Sequence, residues 1–266
     1  IHIGLNPGYR LASESEAVLF LKENIFKFNL SYFRPLGNPN KFLEGILQHF
    51  SRLRDEDVSP KEYLVWAQVQ SEKRKAQKTN IEDKDEVNKN LELANAFKTY
   101  QDLKAKEGVM DFSDLISNTL RLFRTRKNVL KTYQDQFRYI LVDEFQDTNF
   151  AQNQLAILLA GNQKNITVVG DDDQAIYRWR GAAISNMIQF KKQFPKTKVV
   201  TLITNYRSTQ EILNSAYQLI QNNNPDRLEV KENVDKKLKA QRRAKAASDA
   251  AETYPIELLY KNRVED

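Results

Sequence analysis

ILVDEFQDTN, residues Ile140 to Asn149, places two adjacent carboxylates directly after the apolar run Tyr139 to Val142. A short strand that is apolar throughout is typical of a parallel sheet buried on both faces. Asp143 and Glu144 then lie at the carboxyl end of the strand, where ligands collect in open α/β sheets. The stretch therefore predicts an α/β fold and places candidate chemistry at one edge of its sheet.

The same arrangement recurs twice downstream. ITVVG, residues 166–170, leads into the acidic run Asp171 to Gln174, and KVVTLI, residues 198–203, leads into Asn205 to Ser208. Helical patterns separate these apolar runs, and alternation of this kind predicts a parallel sheet with flanking helices.

The chain upstream of this region is predicted to be all helical. Ser13 and Glu16 have capping-box spacing, Ser59 and Pro60 open another helix, and Gly108 is a typical helix stop. Beyond residue 224 the sequence becomes polar. We therefore predict a helical segment over 1–108, an α/β segment over 109–224, and a linker over 225–266 that leads into a further domain.

Composition excludes several classes of site. The 266 residues contain no cysteine and two histidines, so disulfides, thiolate zinc sites, cysteine nucleophiles and a Ser-His-Asp triad are not expected. The net charge of +6 suits a polyanionic partner. No apolar run approaches the roughly 20 residues that span a bilayer, and no secretion signal is evident, so we expect a cytoplasmic protein without a membrane partner.

The strand ends allow more than one interpretation. Asp143 and Glu144 could serve a Mg²⁺ site or could simply cap the following helix. Arg207 could form a structural salt bridge or contact a transferred phosphate. In IYRWRGA, Tyr177 and Trp179 alternate with arginines, which suits single-stranded nucleic acid, although both rings could instead be core residues.

Three stretches together resemble a known family. DEFQDTN, VVGDDDQAIYRWRGA and NYRST, in this order, are similar to motifs II, III and IV of the UvrD/Rep/PcrA-type superfamily 1 DNA helicases. The resemblance implies a partial RecA-like parallel sheet with flanking helices, plus an all-helical accessory subdomain inserted before motif II. By the same resemblance, residues 109–224 would be the partial motor core and residues 225–266 would begin the second motor domain.

The resemblance also implies ATP and Mg²⁺ as cofactors and assigns residues to them. Asp143 would hold Mg²⁺, Glu144 would polarise the attacking water, and Gln146 would contact the γ-phosphate end of the site. Tyr206 would stack on adenine, and Arg207 would contact the γ-phosphate.

On the DNA side, the family implies single-stranded DNA and junctions of single- and double-stranded DNA as partners. Tyr177 and Trp179 would stack on bases, and Arg180 would tie their loop to the catalytic acids. Gln174 would couple that loop to the γ-phosphate.

The chain departs from the family pattern in one respect. The 266 residues contain no phosphate-binding G-x-x-x-x-G-K-[ST] loop, and the later motifs of the family are also missing. We therefore expect an internal fragment of an ATP-dependent DNA helicase that does not hydrolyse ATP by itself. Two alternatives are a non-catalytic DNA-binding or regulatory module derived from a helicase, and a Mg²⁺-dependent nuclease.

Overall fold

The computed structural model describes residues 8–76, 81–175 and 185–241. These residues form two compact units. The first contains the chain up to Asp171 together with Ala175–Asn186, and the second contains Asp172–Gln174 and the chain from Met187 onward. Within the described ranges, no helix is long and apolar enough to cross a membrane.

Four helices begin the first unit, and their ends follow the local signals in the sequence. Their bounds are Glu14–Glu23 (α1), Leu43–Asp55 (α2), Pro60–Ala76 (α3) and Ile81–Glu107 (α4). Ser13 and Glu16 form the predicted capping box. Ser59 Oγ accepts the Glu62 N–H at 3.2 Å, just before Pro60 opens α3. Gly108 takes a φ of 65° directly after α4, a conformation that favours glycine.

Aromatic side chains fill the core between these helices. The ring of Phe50 on α2 lies 4.9 Å from Phe97 and 5.5 Å from Tyr100, both on α4. Leu21 and Ile46 are buried in the same cluster. The helical segment therefore owes its stability chiefly to burial of its apolar faces.

The remaining elements of the first unit build an α/β arrangement. In chain order they are β1 (Arg10–Leu11), β2 (Val109–Met110), α5 (Phe112–Thr125), α6 (Lys127–Gln136), β3 (Ile140–Val142), α7 (Phe150–Ala160) and β4 (Ile166–Val168). β1 pairs with β2, and β3 pairs with β4, both in parallel. Helix α7 connects β3 to β4 and packs against both strands, so the predicted alternation of strand and helix is confirmed here.

The sheet is smaller and more open than the sequence predicts. In the described part of the chain, the strands form three separate two-stranded sheets. The side chain of Leu141, in the middle of β3, is 77% exposed. The prediction that this strand is buried on both faces was wrong for the described chain, because α7 covers one face and no described layer covers the other.

The second unit includes helix α8 (Ser185–Gln193) from its third residue, Met187, onward. Its other elements are β5 (Thr204–Asn205), α9 (Gln210–Ile220), α10 (Leu228–Glu232) and β6 (Lys239–Ala240). β5 pairs in parallel with β6. The strand predicted over KVVTLI was wrong for most of its length, because pairing with β6 begins only where Lys239 donates its N–H to the carbonyl of Ile203 at 2.7 Å, and Leu202 is 78% exposed.

Helix α2 packs against α5 and α7, which joins the helical segment to the α/β elements within the first unit. Asn149 Nδ2 donates a hydrogen bond of 2.7 Å to Asp55 at the end of α2. Burial, followed by the charge of Glu56, raises the pKa of Asp55 to about 6. The domain boundaries at residues 108 and 224 remain predictions.

Candidate functional site

The backbone after β3 bends sharply and keeps its pairing with the chain after β4. Val169 donates its N–H to the carbonyl of Val142 at 2.8 Å, and Phe145 donates to Val169 at 2.9 Å. In the bend between Val142 and Phe145, Glu144 adopts a left-handed conformation, with φ at 48° and ψ at 42°. A non-glycine residue in this region carries strain of about 1 kcal/mol or more, which surrounding contacts must offset. Residues with such strain cluster at functional sites, but Asp57, Lys164 and Asn233 also have positive φ outside this site, so the conformation of Glu144 supports a site only together with its contacts.

Gln146 ties the ends of the two strands together. Its Nε2 donates to Glu144 Oε2 at 2.6 Å, and its Oε1 accepts the N–H of Asp171 at 3.0 Å. The side chain is 2% exposed, whereas Asp143 and Glu144 are exposed. The buried amide therefore fixes the carboxylate of Glu144 relative to the turn after β4.

The two carboxylates do not cap the helix that follows them. Asn149 caps α7, since its side chain accepts the N–H of Gln152 and Gln152 reaches back to the Asn149 N–H. Asp143 Oδ1 instead accepts the N–H of Glu144 at 2.9 Å. The helix-cap interpretation of this acidic pair is therefore wrong, and both carboxylates face solvent at the end of β3.

Two of the acids after β4, Asp172 and Asp173, are held by cations within the second unit. Arg227 makes two hydrogen bonds to Asp173, of 2.7 and 2.8 Å. Lys236 Nζ donates to Asp172 at 2.6 Å and to Asp173 at 2.8 Å. The backbone N–H of Leu228 completes the set by donating to Asp172 at 2.7 Å. The short helical turn Asp172–Gln174 is thus fixed by residues of the predicted linker.

The balance of burial and charge in this cluster lowers the pKa of Asp173. Burial works to raise the pKa of Asp173, yet hydrogen bonds from Arg227 and Lys236 prevail and lower it. Sequence reasoning missed both cations because they follow Asp173 by more than fifty positions in a segment predicted to be a linker. The available signal was the acidic run itself, because buried carboxylates require nearby cations.

The turn after β5 presents two exposed side chains. Asn205 Oδ1 accepts the backbone N–H groups of Arg207, at 2.9 Å, and Ser208, at 2.8 Å. Tyr206 is 74% exposed, and the guanidinium of Arg207 forms no ion pair with any residue in the described ranges. The salt-bridge interpretation of Arg207 therefore finds no support in this part of the chain.

The structure brings together three of the predicted site residues, namely Asp143, Glu144 and Gln146, in the first unit. Gln174, Tyr206 and Arg207 belong to the second unit. The predicted DNA-contacting residues lie outside the described residues: Tyr177, Trp179 and Arg180.

A separate charged cluster is buried between α2, α4 and α5. Lys104 Nζ contacts both Asp111 and Asp114, the second at 2.6 Å, and Arg54 also contacts Asp114. Burial lowers the pKa of Lys104 to about 8, against the opposing effect of Asp111. The cluster joins three helix ends, and each of its charges has a partner of opposite sign.

This cluster borders a cleft of about 1190 Å³ in the first unit, and no predicted site residue of the described ranges lines it. Its walls carry equal numbers of acidic and basic side chains. The acidic side chains are Glu56, Asp57, Glu62, Asp102 and Asp114, and the basic side chains are Arg54, Lys61, Lys104, Arg121 and Arg124. Such a balance does not favour a polyanion, so the cleft is not a second candidate for nucleotide or nucleic acid.

Replacing Gln146 with leucine tests the bridge between the strand ends. Leucine has similar bulk but cannot bond to Glu144 or to the Asp171 N–H, so we expect a loss of about 1–3 kcal/mol in the free energy of unfolding. Gln163→Leu, at an exposed position, is the matched control, with an expected change below about 0.5 kcal/mol. Urea unfolding with amide exchange measures both variants. Equal losses would contradict the bridge.

Comparisons with known proteins identify the family of the chain. The profile of the UvrD/REP helicase N-terminal domain matches residues 2–195. A protein of Staphylococcus aureus named ATP-dependent DNA helicase PcrA is 48% identical over 131 residues, and a protein of the same name from Staphylococcus epidermidis is 47% identical over 131 residues. Each alignment covers 49% of this chain and 18% of the relative.

The chain thus matches less than a fifth of the length of these relatives. The profile, in contrast, spans well over half of this chain, from before α1 to the residues just after α8, and includes the acids at the end of β3. The resemblance found in the motifs is confirmed, and the chain belongs to the UvrD/REP helicase N-terminal domain family.

Proposed function

We propose that this chain is part of an ATP-dependent DNA helicase that unwinds duplex DNA while it moves along single-stranded DNA. The observation that carries the proposal is the acidic end of β3, where Gln146 holds the carboxylate of Glu144 beside the exposed Asp143. Family membership supports the same assignment. The proposed substrates, ATP and DNA, fit a cytoplasmic location.

The exposed carboxylate of Asp143 suits Mg²⁺, which prefers oxygen ligands and is commonly held by one or two carboxylates together with substrate phosphates. Magnesium would supply positive charge to offset that of the phosphates. Glu144 would accept a proton from the attacking water, and the hydrogen bond from Gln146 would keep its carboxylate oriented.

In the second unit, we assign Tyr206 to the adenine and Arg207 to the γ-phosphate. The exposure of both side chains on a turn fixed by Asn205 supports these roles. Gln174 would relay the state of the nucleotide to the segment carrying Tyr177 and Trp179, which would stack on the bases of single-stranded DNA. Arg180 would link that segment to the acids.

We extend the proposal to the partial RecA-like sheet and the helical accessory subdomain. The parallel β3–α7–β4 arrangement supports the first, and the separate aromatic core of α2 and α4 supports the second. Junctions between single- and double-stranded DNA would be the substrates of the whole protein.

Single-strand binding by the 266-residue chain provides the test. We expect weak, salt-sensitive binding to a labelled oligo(dT), measured by fluorescence anisotropy, because cations and stacking rings together recognise single strands. Trp179→Ala should weaken binding about tenfold, in line with the loss of one stacked base. Trp66→Ala is the matched control, since Trp66 and Trp179 are the two tryptophans of the chain and Trp66 packs on Tyr63.

The same protein separates the competing functions. Without a phosphate-binding glycine loop, the chain is expected to show no DNA-stimulated ATP hydrolysis, and robust turnover would contradict this part of the proposal. Cleavage of DNA in the presence of Mg²⁺ that survives Arg207→Ala would favour the nuclease. Full binding by Trp179→Ala would remove the proposed role of that residue.

A further inference from the structure

The loop between α1 and α2 presents aromatic rings and cations without any carboxylate. Residues 26–42 contain five aromatic residues and three cations, and neither aspartate nor glutamate occurs among them. Phe26 is 79% exposed, and Leu36 is fully exposed. Exposed rings mixed with cations differ from an ordinary solvated loop, in which polar side chains would dominate.

The loop is held in place from below by one carboxylate. Glu92 on α4 accepts the backbone N–H groups of Ser31, Tyr32 and Phe33 at 2.8, 3.2 and 3.0 Å. Three bonds to one charged acceptor fix the backbone, so the side chains around it are presented in a set arrangement. The same bonds engage the charge of Glu92, so it opposes an approaching anion less.

Cations lie directly over the rings of this loop. The guanidinium of Arg34 lies 5.3 Å from the ring centre of Phe26, Lys41 Nζ lies 5.0 Å from that of Phe42, and Lys89 Nζ lies 3.9 Å from that of Tyr32. Tyr32 and Phe42 stack on each other at 5.6 Å, which completes their packing. Phe26 differs from them because most of its ring surface remains open to solvent.

We infer that this loop face, defined by Phe26, Arg34, Lys41 and Lys89, binds single-stranded DNA through residues other than those of motif III. A base would stack on the open side of Phe26, and the three cations would meet the phosphates on either side. Single strands are favoured over duplex because a duplex offers no free base face to the ring. The inference rests on the proposed function, since it adds a second contact for the same strand.

The test uses the 266-residue chain and labelled oligo(dT) in an anisotropy titration. Phe26→Ala is expected to raise the dissociation constant about tenfold, as loss of one stacked base would. Phe112→Ala is the matched control, because Phe112 is 62% exposed at the start of α5 and has no cation over its ring in the described ranges. It should leave binding unchanged.

Arg34→Ala tests the electrostatic part of the same face. We expect weaker binding and a salt dependence reduced by about 0.7 in the slope of log K against log salt, the amount for one phosphate contact on a single strand. Arg34→Lys should keep the slope, because the charge is retained. An unchanged slope in Arg34→Ala would contradict a phosphate contact at this position.

The comparison with Trp179→Ala separates this inference from the proposed function. If Trp179→Ala weakens binding and Phe26→Ala does not, the inference fails while the proposed function stands. If only Phe26→Ala weakens binding, the inference stands and the proposed role of Trp179 fails. If light scattering shows that the chain dimerises and Phe26→Ala makes it monomeric, the face is an interface between copies, and the inference is overturned.

Discussion

Replacing Lys104 with methionine is expected to lower the free energy of unfolding of the first unit by about 3 kcal/mol or more. Lys104 is 2% exposed and contacts Asp111 and Asp114, of which Asp114 is 3% exposed. Methionine keeps much of the volume but leaves these carboxylates with less compensating charge. Asp111 and Asp114 also form the capping box of α5, so the damage should spread to that helix.

Lys106→Met is the matched control for this prediction, because Lys106 is exposed in the same last turn of α4. Its expected effect is below about 0.5 kcal/mol. Urea unfolding gives the stability, and amide exchange in α4 and α5 locates the loss. Comparing Lys104→Met, Asp114→Asn and the double variant would isolate their coupling, expected at about 1–3 kcal/mol. The prediction fails if Lys104→Met is as stable as Lys106→Met.

Replacing Arg227 with methionine should destabilise the second unit by a similar amount, about 3 kcal/mol. Arg227 is 2% exposed and holds both carboxylate oxygens of Asp173. Lys236 would remain as a partner for Asp173, which limits the loss. Because Asp173 directly precedes Gln174, we expect faster amide exchange in the turn Asp172–Gln174 and in α10.

Two further variants serve as controls for the expected loss of stability in Arg227→Met. Lys231→Met breaks only an exposed ion pair with Asp226 and should cost less than about 1 kcal/mol. Arg227→Lys should fall between the two, since lysine keeps the charge but cannot make the two parallel hydrogen bonds of a guanidinium. If Arg227→Met and Lys231→Met lose the same stability, the buried pair does not fix the turn.

These predictions differ in what they report about the candidate site. Gln146→Leu acts on the acids of the first unit, whereas Arg227→Met acts on the turn that precedes Gln174. Both positions lie outside the exposed carboxylates that would meet the nucleotide. We propose that Arg227 positions Gln174, and that Gln146, which is also predicted to contact the γ-phosphate end of the site, positions Glu144. Loss of either residue should disturb where Glu144 or Gln174 points without removing that group.

Local features of the fold were predictable because their determinants lie within a few residues of one another. The capping box of Ser13 and Glu16, the start of α3 after Ser59 and the end of α4 at Gly108 each follow from one turn of sequence. The strand before Asp143 and the helix after it were equally evident from apolar runs and their boundaries.

The predictions about strands failed where they depended on neighbours. An apolar run such as KVVTLI indicates that a strand could be buried, but pairing requires another strand beside it. In the described chain this pairing begins only at Ile203 and Thr204, where β6 lies alongside, and Leu202 remains exposed. The burial of Leu141 likewise depends on neighbouring elements, because a residue in a strand is buried only where another layer covers that face of the sheet.

The sequence by itself determined the family, the identity of the acids after β3 and the capped helix ends at Ser13, Ser59 and Gly108, because motifs and caps are encoded over short stretches. Only the tertiary structure showed that Gln146 joins Glu144 to the Asp171 backbone, and that Arg227 and Lys236 hold Asp172 and Asp173. These contacts join residues that are up to 64 positions apart. Their existence depends on the path of the chain, which brings distant charges together where burial makes pairing necessary.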